Sequence, residues 1–292
     1  MLTLDHFFDR FCTRYLYTPR FPRRFTTMDL ARVAGQPLSI QRVAIVTGGS
    51  RGIGKAICEL LATQSTSVCV NYTSESSKSL ADAVVATCIA AGSHAMAHRA
   101  DISNPLEVIE LFKATEAQLG PVTALVNNAA IIGPRTGLLD TTLEELQRTI
   151  AVNVHGPFLC TQEFVKCVSA RKSTVSEGKG AIVNISSGSA FIGRPLAYAM
   201  TKGALNSYSA GIVDELASLG IRVNSVSPGL TKTEMVSDKL VEDNKHLIPM
   251  RRAADTKEIA NVVGFLLSEA ASFVSGGNLR VAGGRKMGSG AQ

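Results

Sequence analysis

From Arg42 onward, short runs of β-branched and small apolar residues alternate with longer stretches of helical pattern, and this alternation limits the possible folds more than any other feature. The runs read as strands at 43–47, 68–71, 95–100, 124–127, 181–185, 222–226 and 278–281. Strands separated by helices rather than tight turns must be joined by crossovers, which makes the sheet mostly parallel and covers both its faces. The expected fold is therefore a doubly wound α/β unit. Asn104-Pro105 before "LEVIELFKATEAQLG" shows the local grammar, with Asn as cap, Pro in the first turn and Gly120-Pro121 as the stop. No repeat or low-complexity linker divides the chain, so residues 42–288 form one domain. The order of the strands is not legible in their spacing. Ligands of such sheets sit at the carboxyl ends of the strands, and the motifs fall there.

Residues 1–41 stand apart. Met1 to Arg42 holds seven Arg, no Lys and three Asp, a balance of +4 out of a formal +6, so the remainder is close to neutral. A phosphate-backbone partner would need its basic stripe on the folded domain, which argues against nucleic acid. The Arg-, Thr- and Pro-bearing leader reads as an extension to the fold, either disordered or an organellar presequence, with Met28 as another possible start. That leaves the cytoplasm as the expected location and the mitochondrion as the alternative. No uncharged apolar run reaches the roughly 20 residues of a membrane span. Six cysteines lack any C-x-x-C spacing and sit mostly in apolar runs, as buried thiols in a reducing compartment do.

"VTGGSRGIGKAI" puts Gly48, Gly52 and Gly54 between the first strand and a helix, where missing side chains allow a tight bend beside a pyrophosphate and the helix amino terminus faces the anion. Ser50, Arg51 and Ile53 complete this candidate dinucleotide contact. The second strand ends at Asn71, with no carboxylate to grip an adenosine ribose or to repel a phosphate on it. With Arg51 in the turn and Asn71, Thr73 and Ser74 as donors, NADP fits better than NAD.

"LAYAMTKGAL" carries Tyr198 and Lys202 four residues apart, on one helical face. An ammonium beside a phenol favours the phenolate and is expected to lower its pKa from about 10. None of the other four tyrosines has a lysine at that spacing.

Together "TGGSRGIG", Asp101-Ile102, "NNAA" at 127–130, Asn153, "ISS" at 185–187, Tyr198-x-x-x-Lys202 and "SPGLTKTEM" resemble the short-chain dehydrogenase/reductase family, nearest its 3-oxoacyl-carrier-protein reductases and glucose dehydrogenase-like enzymes. The resemblance implies a Rossmann fold and NADPH-dependent hydride transfer between nicotinamide and a carbonyl or secondary alcohol. It makes Tyr198 the general acid, Ser187 the stabiliser of the substrate oxygen, Lys202 the holder of the nicotinamide ribose and Asn153 the holder of a relay water. It also puts Asp101 and Ile102 beside adenine, Asn128 beside a ribose, and Pro228, Gly229, Thr231 and Thr233 beside nicotinamide. Residues 233–252 would form a substrate lid, and helices beginning near Thr142 and Tyr198 would build a homotetramer.

Two departures stand out. "NNAA" replaces the usual "NNAG", and the interval from Ser187 to Tyr198 is short, so Ser186 and Ser189 compete for the serine role. His94 and His98 have the spacing of a helical metal pair but fall on a predicted strand, and no metal is expected. The alternative to an enzyme is a dinucleotide-binding sensor or partner protein on the same fold. The substrate would be a small molecule of unspecified identity.

Overall fold

The computed structural model describes residues 42–171, 180–234 and 236–286; the expected extension at 1–41 lies outside them. Seven strands form one sheet in the order β3-β2-β1-β4-β5-β6-β7, every pair parallel. They are β1 (Arg42–Val46), β2 (Thr66–Tyr72), β3 (Ala95–Arg99), β4 (Ala124–Asn127), β5 (Gly180–Ile185), β6 (Ile221–Pro228) and β7 (Asn278–Val281).

Strand parity divides the core. Ala44, Val46, Val68, Val70, Val126 and Val183 face one side, against α1 (Gly52–Thr63), α2 (Lys78–Ala90) and α10 (Thr256–Leu267). Val43, Ile45, Leu125, Ile182 and Val223 face the other, against α3 (Pro105–Leu119), α5 (Gly156–Ser169) and α8 (Val213–Ser218). Strands buried on both faces need apolar residues at consecutive positions, which is why their runs were continuous in the sequence. Asn104 caps α3 by accepting from Leu106 N at 3.0 Å, Pro105 opens it, and Gly120, at φ 94°, ends it. Asp255 and Glu258 cap the amino terminus of α10 with a capping box.

The site elements follow from this frame. α4 (Leu143–Ile150) runs through a π-helical turn (Ala151–His155) into α5. A short α6 (Ser189–Ile192) precedes α7 (Leu196–Gly211), and the segment expected as a lid contains α9 (Asp238–Asn244). Among the described residues no helix is long and apolar enough to cross a membrane.

Burial raises the thiols. Cys69 and Cys160 are each pushed up to about 12 by desolvation. An acid whose folded pKa lies above its unfolded value stabilises the fold below the unfolded pKa and loses that contribution as pH rises, because the unfolded chain ionises first. Above pH 9 we expect these thiols to lower urea stability, each by about 1.4 kcal/mol per pH unit. Cys160→Ala should flatten that fall; an unchanged slope would mean the thiol is solvated.

Candidate active site

The strand order reverses direction between β1 and β4, and the glycine turn leaves β1 at that point. Packing there is tight. A Cβ on Gly54 would stand 2.3 Å from Gly48 O and 2.6 Å from Asn128 Nδ2, and one on Gly48 would stand 2.9 Å from the Ala129 Cα. Gly48 also has φ 63°, a region open to glycine at no steric cost. Thr47 ties the two strand exits together: its Oγ1 accepts from Asn128 N at 2.9 Å and Ala129 N at 3.0 Å. Asn128 returns two bonds from Nδ2, to Thr47 O at 2.8 Å and Gly48 O at 3.2 Å.

This turn fits a dinucleotide. No side chain caps the amino terminus of α1, so its first N–H groups stay available to an anion. Ser50 is buried inside the turn, whereas Gly52 and Ile53 are partly open. Thr233 and Glu234 cross the front of the turn, 3.5 Å from where a Gly52 Cβ would stand. Arg51 Nη2 donates to Ser77 Oγ, and Ser74 Oγ lies 2.9 Å from the Oγ atoms of both Ser76 and Ser77. An exposed guanidinium ringed by hydroxyls beside the β2 exit suits a ribose phosphate. Ser74 was expected here, whereas Ser76 and Ser77 were missed in the sequence, where "SESS" resembles any polar turn. Thr73 is exposed at the same exit.

Two expected adenosine contacts change role. Asn71 is fully buried; its Oδ1 accepts from Gly48 N at 3.2 Å and its Nδ2 donates to Ala100 O at 3.0 Å. The amide thus fastens the glycine turn to the β2 and β3 exits, and its donors are not free for a ribose. Ile102 is 2 % exposed and packs so closely on Gly156 that a Cβ there would come within 2.5 Å of its Cδ1. Its side chain belongs to the core, leaving only its backbone for adenine. Asp101 keeps part of its carboxylate exposed while Oδ1 accepts from Ser103 N at 2.9 Å and Ser103 Oγ at 2.7 Å.

At the far side of the crevice, Gly188 N donates to Pro228 O and Gly229 N to Val281 O, at 2.8 and 2.9 Å. Gly229 must lack a side chain because a Cβ would stand 2.9 Å from the Ala282 Cα. Thr231 is buried, its Oγ1 donating to Gly229 O at 3.1 Å.

α7 brings Tyr198 and Lys202 together as the spacing predicts. Lys202 is 2 % exposed, its Nζ donates to Ile185 O at 2.7 Å and stands 5.6 Å from the Tyr198 ring centroid. The Ser187 side chain acts on the Tyr198 phenol in the direction that favours its ionised form. Ser186 turns away, donating to Lys202 O at 3.3 Å, and Ser189 offers its backbone N–H to Ser187 Oγ at 3.1 Å. Of the three serines, Ser187 is the one whose side chain acts on the phenol. The short interval is taken up by α6 and a left-handed turn at Gly193, φ 73°.

The phenol's acidity departs from expectation. Desolvation holds Tyr198 above its ordinary value, the Ser187 side chain opposing it, while burial pushes Lys202 down to about 8. The ammonium sits over the ring face rather than against the hydroxyl, so its charge does not offset the desolvation.

Asn153 is fully buried in the π-helical turn. It does not bond its own helix: Nδ2 donates to Ile131 O at 2.8 Å and Thr201 Oγ1 at 3.1 Å, and Oδ1 accepts from Ile131 N at 2.9 Å. It therefore joins the β4 exit to the residue preceding Lys202.

A family model described as "Enoyl-(Acyl carrier protein) reductase" matches residues 48–286. A 3-oxoacyl-[acyl-carrier-protein] reductase from Synechocystis sp. is 38% identical over 249 residues, covering 84% of this chain and 97% of the relative. The crystal structure of a blue fluorescent protein from a metagenomic library, in complex with NADPH, superposes with TM-score 0.74 at 35% identity over 83% of this chain and 97% of the other. A short chain dehydrogenase from Burkholderia cenocepacia, in complex with NADP, gives 0.75 at 31% identity over 84% and 97%.

Proposed function

Because the chain belongs to the short-chain dehydrogenase/reductase family of oxidoreductases, we propose that it is an NADPH-dependent carbonyl reductase acting through Ser187, Tyr198, Lys202 and Asn153. The observation that carries this reading is the Tyr198 phenol with the Ser187 side chain acting on it and the buried Lys202 ammonium 5.6 Å from its ring centroid. The dinucleotide supplies the hydride. Gly48, Ser50, Arg51, Gly52, Ile53, Gly54 and Asn128 hold its adenosine half, with Arg51 and Ser74 on the ribose phosphate and Asp101 near adenine. Pro228, Gly229, Thr231 and Thr233 line its nicotinamide half.

A carbonyl oxygen gains negative charge as it is reduced, so two aligned donors lower the barrier. Ser187 supplies one hydrogen bond and Tyr198 the proton. A phenol held above its ordinary pKa is fully protonated at neutral pH, which suits reduction. Oxidation of an alcohol needs the phenolate and therefore speeds up as pH rises. Lys202 positions the nicotinamide ribose, and Asn153 fixes the α7 register through Thr201.

Cytoplasmic location, a small-molecule substrate and a homo-oligomer with the α4 and α7 helices at its interfaces complete the reading. The experiment is a panel of ketones and keto esters assayed with NADPH and NADH. NADPH should support faster turnover, and Arg51→Ala should raise the NADPH Kd at least tenfold while moving the NADH Kd less than twofold. Equal losses for both cofactors would remove the ribose phosphate from Arg51.

A further inference from the structure

We propose that a cavity beside the exit of β7 is an anion subsite that takes the carboxylate or phosphoryl end of the substrate, read by Arg280 and Arg285 with Arg252 as support. The proposal rests on the carbonyl reductase reading and adds the chemical class of the substrate to it. The cavity has a volume of about 530 Å³, within the usual range of small-molecule sites. Its walls come from the end of the expected lid segment, the first turn of α10 and the residues following β7. It opens at the carboxyl end of the sheet, where ligands of this architecture bind. Ser187, Tyr198 and Lys202 are not in its lining, so it does not itself hold the reacting carbonyl.

Arg252 converges there with Arg280 and Arg285, against one carboxylate. That carboxylate, Glu258, is already committed: it receives Arg252 Nη1 at 2.6 Å and Nη2 at 2.7 Å, plus Asp255 N at 2.8 Å. The charges of Arg280 and Arg285 therefore have no counter-ion in the lining. Arg280 is oriented in advance, with its guanidinium 5.9 Å from the Phe191 ring centroid and Nη2 donating to Arg285 O at 2.6 Å. Arg285 is partly buried, and among the described residues its guanidinium has no hydrogen-bond or ion-pair partner.

Like charges held together on a concave wall raise the energy of the empty site and focus a positive field into it. A guanidinium kept in place by stacking still offers most of its five donors in the fork that matches a carboxylate or phosphoryl group. Phe191 connects this wall to the reacting centre, since it stands in α6, four residues beyond Ser187. A substrate with its carbonyl at Tyr198 and its anionic end in this cavity would pass along that ring.

The test uses the full chain and an R280Q/R285Q variant, with folding checked by circular dichroism and by NADPH fluorescence titration. Keto acids of increasing length are compared with their methyl esters. We expect the variant to lose at least tenfold in kcat/KM for the best keto acid, mainly through KM, and less than twofold for its ester. Equal changes for acid and ester would overturn the assignment. In parallel, inorganic phosphate is titrated by thermal shift with NADPH saturating, so that the Arg51 pocket is filled. Wild type should be stabilised and the variant at least tenfold less responsive. An identical response in both would overturn the subsite. Loss of phosphate binding without any change in acid-over-ester preference would overturn its use by the substrate. If wild type reduces no carbonyl at all, the reductase reading fails, and the phosphate titration still decides whether the cavity binds anions.

Discussion

Tyr198→Phe should leave a folded, NADPH-binding protein whose carbonyl reduction falls by roughly 10²–10⁴-fold, the usual span for removing a positioned general acid. The change deletes one hydroxyl, the group on which the Ser187 side chain acts. The ring remains, and with it the face over which the Lys202 ammonium stands. The glycine turn, Arg51 and Asn128 are on other elements, so NADPH fluorescence titration should give a Kd within about twofold of wild type. Carbonyl-dependent NADPH oxidation should nearly vanish. Wild-type turnover in the variant would dismiss the phenol as proton donor; normal binding with no turnover separates an enzyme from a sensor on the same fold.

The raised pKa of the phenol sharpens this prediction. Because burial holds the phenol protonated, reduction should be flat across neutral pH and the reverse oxidation should climb with alkali. Had Lys202 depressed the phenol as its spacing alone suggests, oxidation would already be near its plateau at neutral pH. The distinction depends on where the ammonium points, which four-residue spacing does not determine.

What the sequence makes legible is local. All seven strands lie within about two residues of their expected positions, because a strand buried on both faces must be apolar at every step. The glycine turn was readable because Gly48 and Gly54 are required by contacts that any reader of that turn can anticipate. Strand order was not readable, since β1 lies between β2 and β4 through contacts distant in the chain. Side-chain direction was the second loss. Asn71 looks like a ribose contact by position, yet parity turns it inward, where the turn needs an acceptor for Gly48 N. The same effect appears in β4 to β7, where Asn127, Asn184, Ser225 and Asn278 stand in register. Asn127 Nδ2 donates to Asn184 Oδ1 at 2.8 Å, and Asn184 Nδ2 to Ser209 Oγ on α7 at the same distance. This polar row anchors α7 to the sheet, and it exists only once the register is known. The three arginines of the β7 cavity were invisible for the same reason.

Lys202→Met gives the other large effect, and here activity and stability should move separately. The side chain is one of the largest that are fully buried, and its Nζ donates to Ile185 O at 2.7 Å. Methionine keeps the volume and apolar stem but removes the charge, so the fold should survive while kcat/KM falls by about 10²–10³, the scale of a lost preorganised donor. NADPH binding should weaken too, unlike in Tyr198→Phe, if the lysine has its proposed role of holding the nicotinamide ribose. Stability provides an independent check. Folding lowers this ammonium from 10.5 to about 8, so between those values the unfolded chain carries a proton that the native state has released. The unfolded state binds more protons in that window, and the contribution of this group to stability therefore rises with pH. Below about 8 the full cost of burying the charge is present. The buried thiols act in the opposite sense above 9, but they are common to both proteins and cancel in the difference. From pH 7 to pH 9.5, wild type should gain on the order of 2 kcal/mol in urea stability relative to Lys202→Met. A difference that stays flat across that range would mean the ammonium reaches water, and a solvated lysine could not hold a nicotinamide ribose beneath a buried phenol.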